Sequence, residues 1–82
     1  GNRLVMNYSA SAAGMMQVEL QNEEGQPIAG YAMDDCVPLF GDTIEGTVAW
    51  KGGPDVSHLS GQTVRMKVYL KDADLYSLRF VP

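Results

Sequence analysis

The side chains with the most distinctive chemistry in this sequence are one histidine, one cysteine and three pairs of neighbouring carboxylates. His58 and Cys36 are the single residues of their types. A side-chain nucleophile needs a base within hydrogen-bond reach, and a structural zinc ion takes about four Cys or His ligands. Nothing in the spacing predicts that His58 meets Cys36. We therefore expect a solvated loop histidine, no catalytic residue, no metal site and no cofactor.

The carboxylate pairs are Glu23 with Glu24, Asp34 with Asp35, and Asp72 with Asp74. Each pair lies in a predicted turn, where acidic side chains normally bond the local backbone or water. Calcium is the functional alternative, although the sequence has no twelve-residue loop with alternating oxygen ligands. Glycoside hydrolysis needs two carboxylates across a cleft, which a domain this small rarely provides. Solvation is the preferred interpretation.

The elements that would position these groups are β-strands, because apolar residues recur at every second position. The pattern predicts strands at about 4–8, 16–20, 28–33, 43–50, 64–70 and 75–80. Gly25 suits a tight turn between the second and third strands, and "DVSHLSG" predicts one helical turn capped by Asp55 or Ser57. Six to seven short strands predict an all-β fold, either an antiparallel, jelly-roll-like β-sandwich or a small barrel.

Residues 63–80 resemble a hairpin whose two arms have the same parity. If the arms are direct neighbours, an odd-numbered connection pairs Leu70 with Tyr76 and Val68 with Leu78, which leaves one face wholly apolar. An even connection would bury Arg79, at a cost of several kcal/mol. In a sandwich, the arms could instead lie in opposite sheets. The predicted core is Met6, Met16, Val18, Leu20, Ile44, Val48, Trp50, Val64, Met66, Val68, Leu70, Leu78 and Phe80, and Tyr76 has the same inward parity.

The outward face of this hairpin carries Arg65, Lys67, Tyr69 and Arg79 on a chain of net charge −4. The simpler interpretation is a solvated face whose long side chains cover the sheet. The alternative is that the face docks on an acidic surface of a neighbouring domain or binds an anionic glycan. Arg65 and Arg79 would then be bidentate anchors, and Tyr69 would be the stacking ring.

Length and composition set the class of protein. The 82 residues, 45% apolar and 20% charged, predict one globular domain spanning 1–82. The acidic balance argues against nucleic acid as a partner, because such domains usually carry a basic surplus. No apolar run approaches the ~20 residues of a membrane-spanning helix, so we expect no membrane association. Because the chain starts at Gly1 and enters strand-like sequence at once, we expect it to be a fragment of a larger multidomain protein.

Most of the chain resembles a known family, and residues 14–31 fit it as a strand, a turn and a second strand. The residues concerned are Gly41-Asp42, Val48 to Gly52, Asp55-Val56-Ser57, Leu59, Gly61, Val64 to Leu70, Ala73 to Ser77, and Phe80. They are similar to the closing segment of large bacterial proteins that resemble family 32 glycoside hydrolases, in which a β-propeller precedes a β-sandwich. The resemblance implies a noncatalytic C-terminal accessory module, because the catalytic acids of such proteins belong to the propeller. It also implies an extracellular or periplasmic location.

Two function classes remain open. In the first, the chain is an accessory module that packs on the catalytic domain of its parent chain, which would be a glycoside hydrolase, or contacts carbohydrate. In the second, it is a protein interaction or assembly module with no carbohydrate role. Its exposed edge strands would then pair with another chain, including a second copy of itself.

Overall fold

The computed structural model describes residues 2–59 and 61–81, except for the side chains of residues 43–45 and 58. It contains the strands β1 (Arg3–Gln21), β2 (Asp42–Thr47) and β3 (Arg65–Val81). Single 3₁₀ turns lie at Met33–Asp35 and Ser57–Leu59. The predicted all-β class is confirmed.

The strands form one antiparallel sheet in the order β2-β1-β3. β1 and β3 pair over nearly their whole length, from Arg3 opposite Val81 to Gln21 opposite Arg65. The predicted strands at 4–8 and 16–20 are therefore two halves of β1, and those at 64–70 and 75–80 are two halves of β3. The predicted hairpin is wrong, because both of its arms pair with β1 and not with each other. The residues between the arms continue the strand and do not reverse it.

Both long strands are bent. A straight strand of the 19 residues of β1 would span about 60 Å, whereas the longest extent of the protein is 35 Å. The β1–β3 register shifts between Asn7 and Tyr8 and again between Ala10 and Met15. At the second shift Asp72 has a φ of 47°, and a Cβ added to Gly14 would approach the Asp72 carbonyl oxygen to 2.5 Å. The bend brings side chains from both halves of β1 into one core.

Half of the core residues lie on β1. The buried residues of the core are Leu4, Met6, Tyr8, Met16, Val18, Leu20, Tyr31, Cys36, Leu39, Val48, Trp50 and Val56. This confirms the predicted core positions Met6, Met16, Val18, Leu20, Val48 and Trp50. The side chain of Ile44 lies outside the described part of the structure. Alternation in β1 thus identified the inward face correctly.

The predicted core positions of β3 are only partly buried. Val64, Met66 and Val68 are half-buried, while Leu70, Leu78 and Phe80 keep 41–43% of their surface exposed. Tyr76, which parity also placed inward, is 64% exposed. Met66 and Val68 pack against the core. The prediction is wrong for Leu70, Leu78 and Phe80, because β3 is the edge of the sheet and its inward face is covered from one side only. It is wrong for Tyr76 because this residue is skipped in the register, where Leu75 pairs with Tyr8.

The segment between β1 and β2 is mostly irregular. Asn22 Oδ1 accepts hydrogen bonds from the backbone N–H groups of Glu24 and Gln26, and Gly25 has a φ of 81°, which confirms the predicted turn. The predicted strand at 28–33 does not form. Backbone bonds join Ile28 and Tyr31 individually to Leu20, with no continuous ladder.

Side chains complete the free side of β1 where no strand covers it. The Val18 N–H donates to Cys36 Sγ at 3.3 Å, and the Val18 carbonyl accepts from Trp50 Nε1 at 3.0 Å. Trp50 itself lies beyond β2, which ends earlier than the predicted fourth strand. The predicted helical turn forms at Ser57–Leu59, and Asp55 Oδ1 accepts the Ser57 N–H at 2.8 Å.

Within the described ranges, no helix has the length and apolar character needed to cross a membrane.

Candidate interaction surface

The outer edge of β3 is the most extended unpaired backbone that the structure shows. β3 pairs with β1 on one side, and among residues 2–59 and 61–81 no strand lies on its other side. An edge strand leaves alternate N–H and C=O groups available to another chain. With 17 residues, β3 is longer than most strands of globular proteins.

An exposed apolar row accompanies this edge. It consists of Leu70, Leu78 and Phe80, whose β1 partners in the register are Met16, Met6 and Leu4. The three β1 residues are completely buried, whereas the three β3 residues are 41–43% exposed. The difference follows from position in the sheet, because β1 has neighbours on both sides. We call these three β3 residues the apolar row.

A groove adjoins one end of the apolar row. Leu20, Val56, Leu59, Val64 and Phe80 line it, together with Gly61 and Gln62, and its volume is about 220 Å³. Val64 immediately precedes β3, and Phe80 lies near the end of the strand. The two ends of the bent strand therefore approach each other across an apolar groove.

The structure places three of the four predicted site residues together. Arg65, Lys67 and Tyr69 are exposed and follow each other at every second position of β3. Their β1 partners are Gln21, Glu19 and Gln17. Lys71 extends the row by one position, and sequence reasoning missed it because the predicted first arm ended at Leu70. We call Arg65, Lys67 and Lys71 the basic row.

Arg79, the fourth predicted site residue, is not part of the basic row. It lies in the other half of β3, opposite Val5. The predicted grouping required the two arms to be adjacent in a hairpin, which would have brought Arg79 beside the first arm. In a single strand the register break around Asp72 separates them. Arg65 and Arg79 therefore lie near opposite ends of β3.

One buried carboxylate lies beside the basic row. Glu19 is only 8% exposed, and it accepts hydrogen bonds from Gln21 Nε2 at 2.6 Å and from the Met33 N–H at 3.0 Å. These two bonds, and then the positive charge of Lys67, hold the pKa of Glu19 below its ordinary value despite burial. Glu19 thus remains a fixed negative charge opposite Lys67.

The described side chains with nucleophilic or metal-binding chemistry form no cluster that could hold a metal ion. Cys36 is buried, and burial raises the pKa of its thiol. The side chain of His58 is outside the described residues. Across the part of the chain that the structure describes, no group of three His, Cys, Asp or Glu side chains could hold a metal ion.

A second depression lies beside the core aromatics. Tyr31 and Trp50 pack edge to face with ring centroids 5.1 Å apart, and the Tyr31 hydroxyl donates to the Asp55 carbonyl at 2.8 Å. Both rings are buried, so they stabilise the core and offer no stacking surface. Tyr69 and Tyr76 are the exposed tyrosine rings on β3, at 46% and 64%.

Comparison with known proteins gave no match among protein-family models, curated proteins or solved structures. The geometry of β3 therefore carries the functional argument.

Proposed function

We propose that this chain is a noncatalytic interaction module that binds another protein through β3. The observation that carries the proposal is the edge strand itself, whose inward residues Leu70, Leu78 and Phe80 remain 41–43% exposed. A partner that covered the apolar row would gain roughly 25 cal/mol for each Å² of apolar surface removed from water. Backbone pairing along the same edge would add directional bonds.

The family resemblance suggests which partner to test first. A C-terminal accessory domain of a family 32-like protein would pack on the catalytic domain of its own parent chain. If the bends in β1 and β3 divided each strand in two, the chain would have five strands, fewer than the six to seven of such a sandwich. The parent chain, and not this module, would then carry glycoside hydrolase activity in the extracellular space or periplasm.

Hydrogen exchange would test the proposal. We would compare the isolated chain with the full-length product of its gene by mass spectrometry. We expect slower exchange in residues 65–81 of the full-length protein, because pairing and burial protect edge amides. Unchanged exchange along β3, with or without protection elsewhere, would contradict the proposal.

A matched pair of variants would show whether the apolar row makes the contact. Leu78→Thr/Phe80→Thr removes part of the row without changing the net charge. Val37→Thr/Phe40→Thr is the control, because these side chains are 51% and 64% exposed and lie outside β3. We expect only the first variant to lose the added protection of β3 in the full-length protein, while both keep a β-type circular dichroism spectrum.

Carbohydrate contact is a second candidate, favoured by the exposed rings of Tyr69 and Tyr76. Sugars stack on such rings, and a ligand that binds only the folded state raises its melting temperature. A glycan panel that includes anionic oligosaccharides would test this, with Tyr76→Ala and Tyr69→Ala as variants. The same samples, assayed with chromogenic glycosides and esters, should show no turnover. Turnover that depends on His58 or Cys36 would contradict the noncatalytic assignment.

A further inference from the structure

The basic half of β3 is the longest part of the free edge with a regular register. Residues Arg65 to Lys71 pair with β1 in an unbroken register. Asp72 then takes a left-handed conformation with a φ of 47°, and Tyr76 is an extra residue between the partners of Asn7 and Tyr8. Such irregularities interrupt pairing on the outer edge as well. A partner strand therefore has seven regular residues to pair with.

Charge on this half disfavours pairing with a second copy of the chain. Two copies of β3 could pair as antiparallel strands of one joined sheet. Their inward faces then lie on the same side of that sheet only if the pairing is symmetric about a residue and not about the bond between two residues. Centring on Val68 places Arg65 opposite Lys71 twice. Centring on Lys67 places Lys67 opposite itself, and centring on Tyr69 places Lys67 opposite Lys71. Like charges directly opposite each other destabilise strand pairing, so an acidic partner fits better.

The side of β3 that is already paired shows which sequence suits it. Val18 lies opposite Val68, Leu20 opposite Met66, and Glu19 opposite Lys67. The partner strand thus alternates apolar residues on the inward face with polar residues on the other face, where the carboxylate of Glu19 lies between Gln17 and Gln21. A strand on the free edge meets the same side chains from the other side and can pair with the backbone groups of the alternate β3 residues.

We infer that β3 residues Arg65–Lys71 bind an extended protein segment that alternates apolar and acidic residues and adds to the sheet as an antiparallel strand. The inference rests on the proposed function and specifies the partner's chemistry. Apolar side chains of the segment extend the inward face beside Met66, Val68 and Leu70. Its carboxylates face Arg65, Lys67 and Lys71 across the new pair of strands.

Synthetic peptides test this chemistry directly. The probe is a fluorescein-labelled Glu-Val-Thr-Val-Glu-Val-Glu, which in antiparallel pairing places glutamate opposite each member of the basic row and threonine opposite Tyr69. Lysine replaces each glutamate in the first control peptide, and proline replaces the central valine in the second. Fluorescence anisotropy with the whole chain measures each dissociation constant at low and at high salt.

We expect the glutamate peptide to bind at least about tenfold more tightly than the lysine peptide, because three attractive cross-strand pairs become repulsive. Its affinity should fall as salt rises. Lys71→Gln should weaken binding severalfold. Lys51→Gln is the matched control. Lys51 is exposed and lies outside β3, and its substitution removes the same positive charge. Circular dichroism would verify that both variants fold.

The outcomes separate the two proposals. Equal binding of the glutamate and lysine peptides would contradict the claim that the partner segment is acidic, but it would not contradict strand addition. Equal binding of the glutamate and proline peptides would overturn strand addition itself. Absence of binding, or a dimer in sedimentation that excludes the peptide from β3, would overturn the inference, while the hydrogen-exchange comparison would still decide the proposed function.

Discussion

At the scale of single residues, the side chain of Trp50 connects the segment that follows β2 to β1 and to the loop that contains Tyr31. Its indole N–H donates to the Val18 carbonyl, and its ring packs against Tyr31. Cys36 Sγ accepts a hydrogen bond from the N–H of the same residue, Val18. Two side chains thus satisfy backbone groups that a neighbouring strand would otherwise pair, which allows the irregular segment 27–39 to lie against β1.

Trp50→Phe should destabilise the protein by roughly 2–4 kcal/mol. The change leaves the buried Val18 carbonyl without its donor and removes part of a packed ring. Urea unfolding followed by circular dichroism would measure the loss. Tyr76→Phe is the control, because that side chain is 64% exposed and its change should be nearly neutral. Equal effects of the two substitutions would contradict the role assigned to Trp50.

Because of Glu19, the free energy of unfolding should depend on pH at pH values below the ordinary pKa of a glutamate. Hydrogen bonds from Gln21 Nε2 and the Met33 N–H lower its pKa in the folded state from the ordinary 4.5. Its contribution is therefore fully present above the unfolded-state pKa and is lost as the pH falls through the lower folded-state value.

Glu19→Gln provides the measurement. The free energy of unfolding of the variant should lie below that of the natural sequence at pH 7, and the gap should narrow as the pH falls below about 4.5. Urea titrations at several pH values would follow the gap. A constant gap would show that Glu19 does not bind its proton more weakly in the folded state.

At the scale of elements, the bend of β1 against β3 decides how the strands close around the core. Gly14 lies against the carbonyl oxygens of Lys71 and Asp72, where a Cβ would come within 2.5–2.6 Å of backbone atoms. These nearest atoms belong to the backbone, so they cannot move aside as the end of a flexible side chain could. The absence of a side chain at Gly14 therefore permits the close approach of the two strands at their bend.

Gly14→Ala should destabilise the protein by about 2 kcal/mol or more, since overpacking against backbone costs 1–3 kcal/mol. Gly52→Ala is the matched control. A Cβ at Gly52 meets nothing within 4 Å and its φ is not positive, so the change should be neutral or slightly stabilising. Thermal melts of the two variants would compare them. Equal melting temperatures would mean that the bend does not depend on Gly14.

At the scale of the whole molecule, an acidic protein carries an exposed apolar edge. The net charge is −4 and the isoelectric point is about 4.6. Net charge keeps proteins apart in solution, whereas exposed edge strands and apolar rows bring them together. The balance between the two effects therefore changes with pH.

Light scattering should show reversible association that is strongest near pH 4.6 and weak at pH 7, because repulsion between copies vanishes at the isoelectric point. Leu78→Thr/Phe80→Thr should reduce this association without moving its pH maximum. The control Val37→Thr/Phe40→Thr should reduce it less. If the control variant reduced association more strongly, the surface through which the copies associate would lie outside β3.

Much of the local structure was predictable from the sequence. Alternation correctly assigned Met6, Met16 and Val18 to the inward face of their strand, and Gly25 marked the turn that Asn22 closes. The inward and outward sides of Arg65–Leu70 were also predictable, because the two faces of a strand follow from a local period of two residues. The joining of separate strand signals into two bent strands was not, since Ser9 to Gly14 has the small residues of a loop.

By itself, the sequence determined the all-β class, the inward face at most strand positions and the turn at residues 22–26, because each depends on residues close together in the chain. Only the tertiary structure decided that Arg65 and Arg79 lie in different halves of one strand, and that Leu70, Leu78 and Phe80 lie on an edge. Alternation specifies which face of a strand is apolar, but what covers that face depends on pairing between distant segments. The candidate interaction surface arises from that difference, since β3 has a core-type face and only one neighbouring strand.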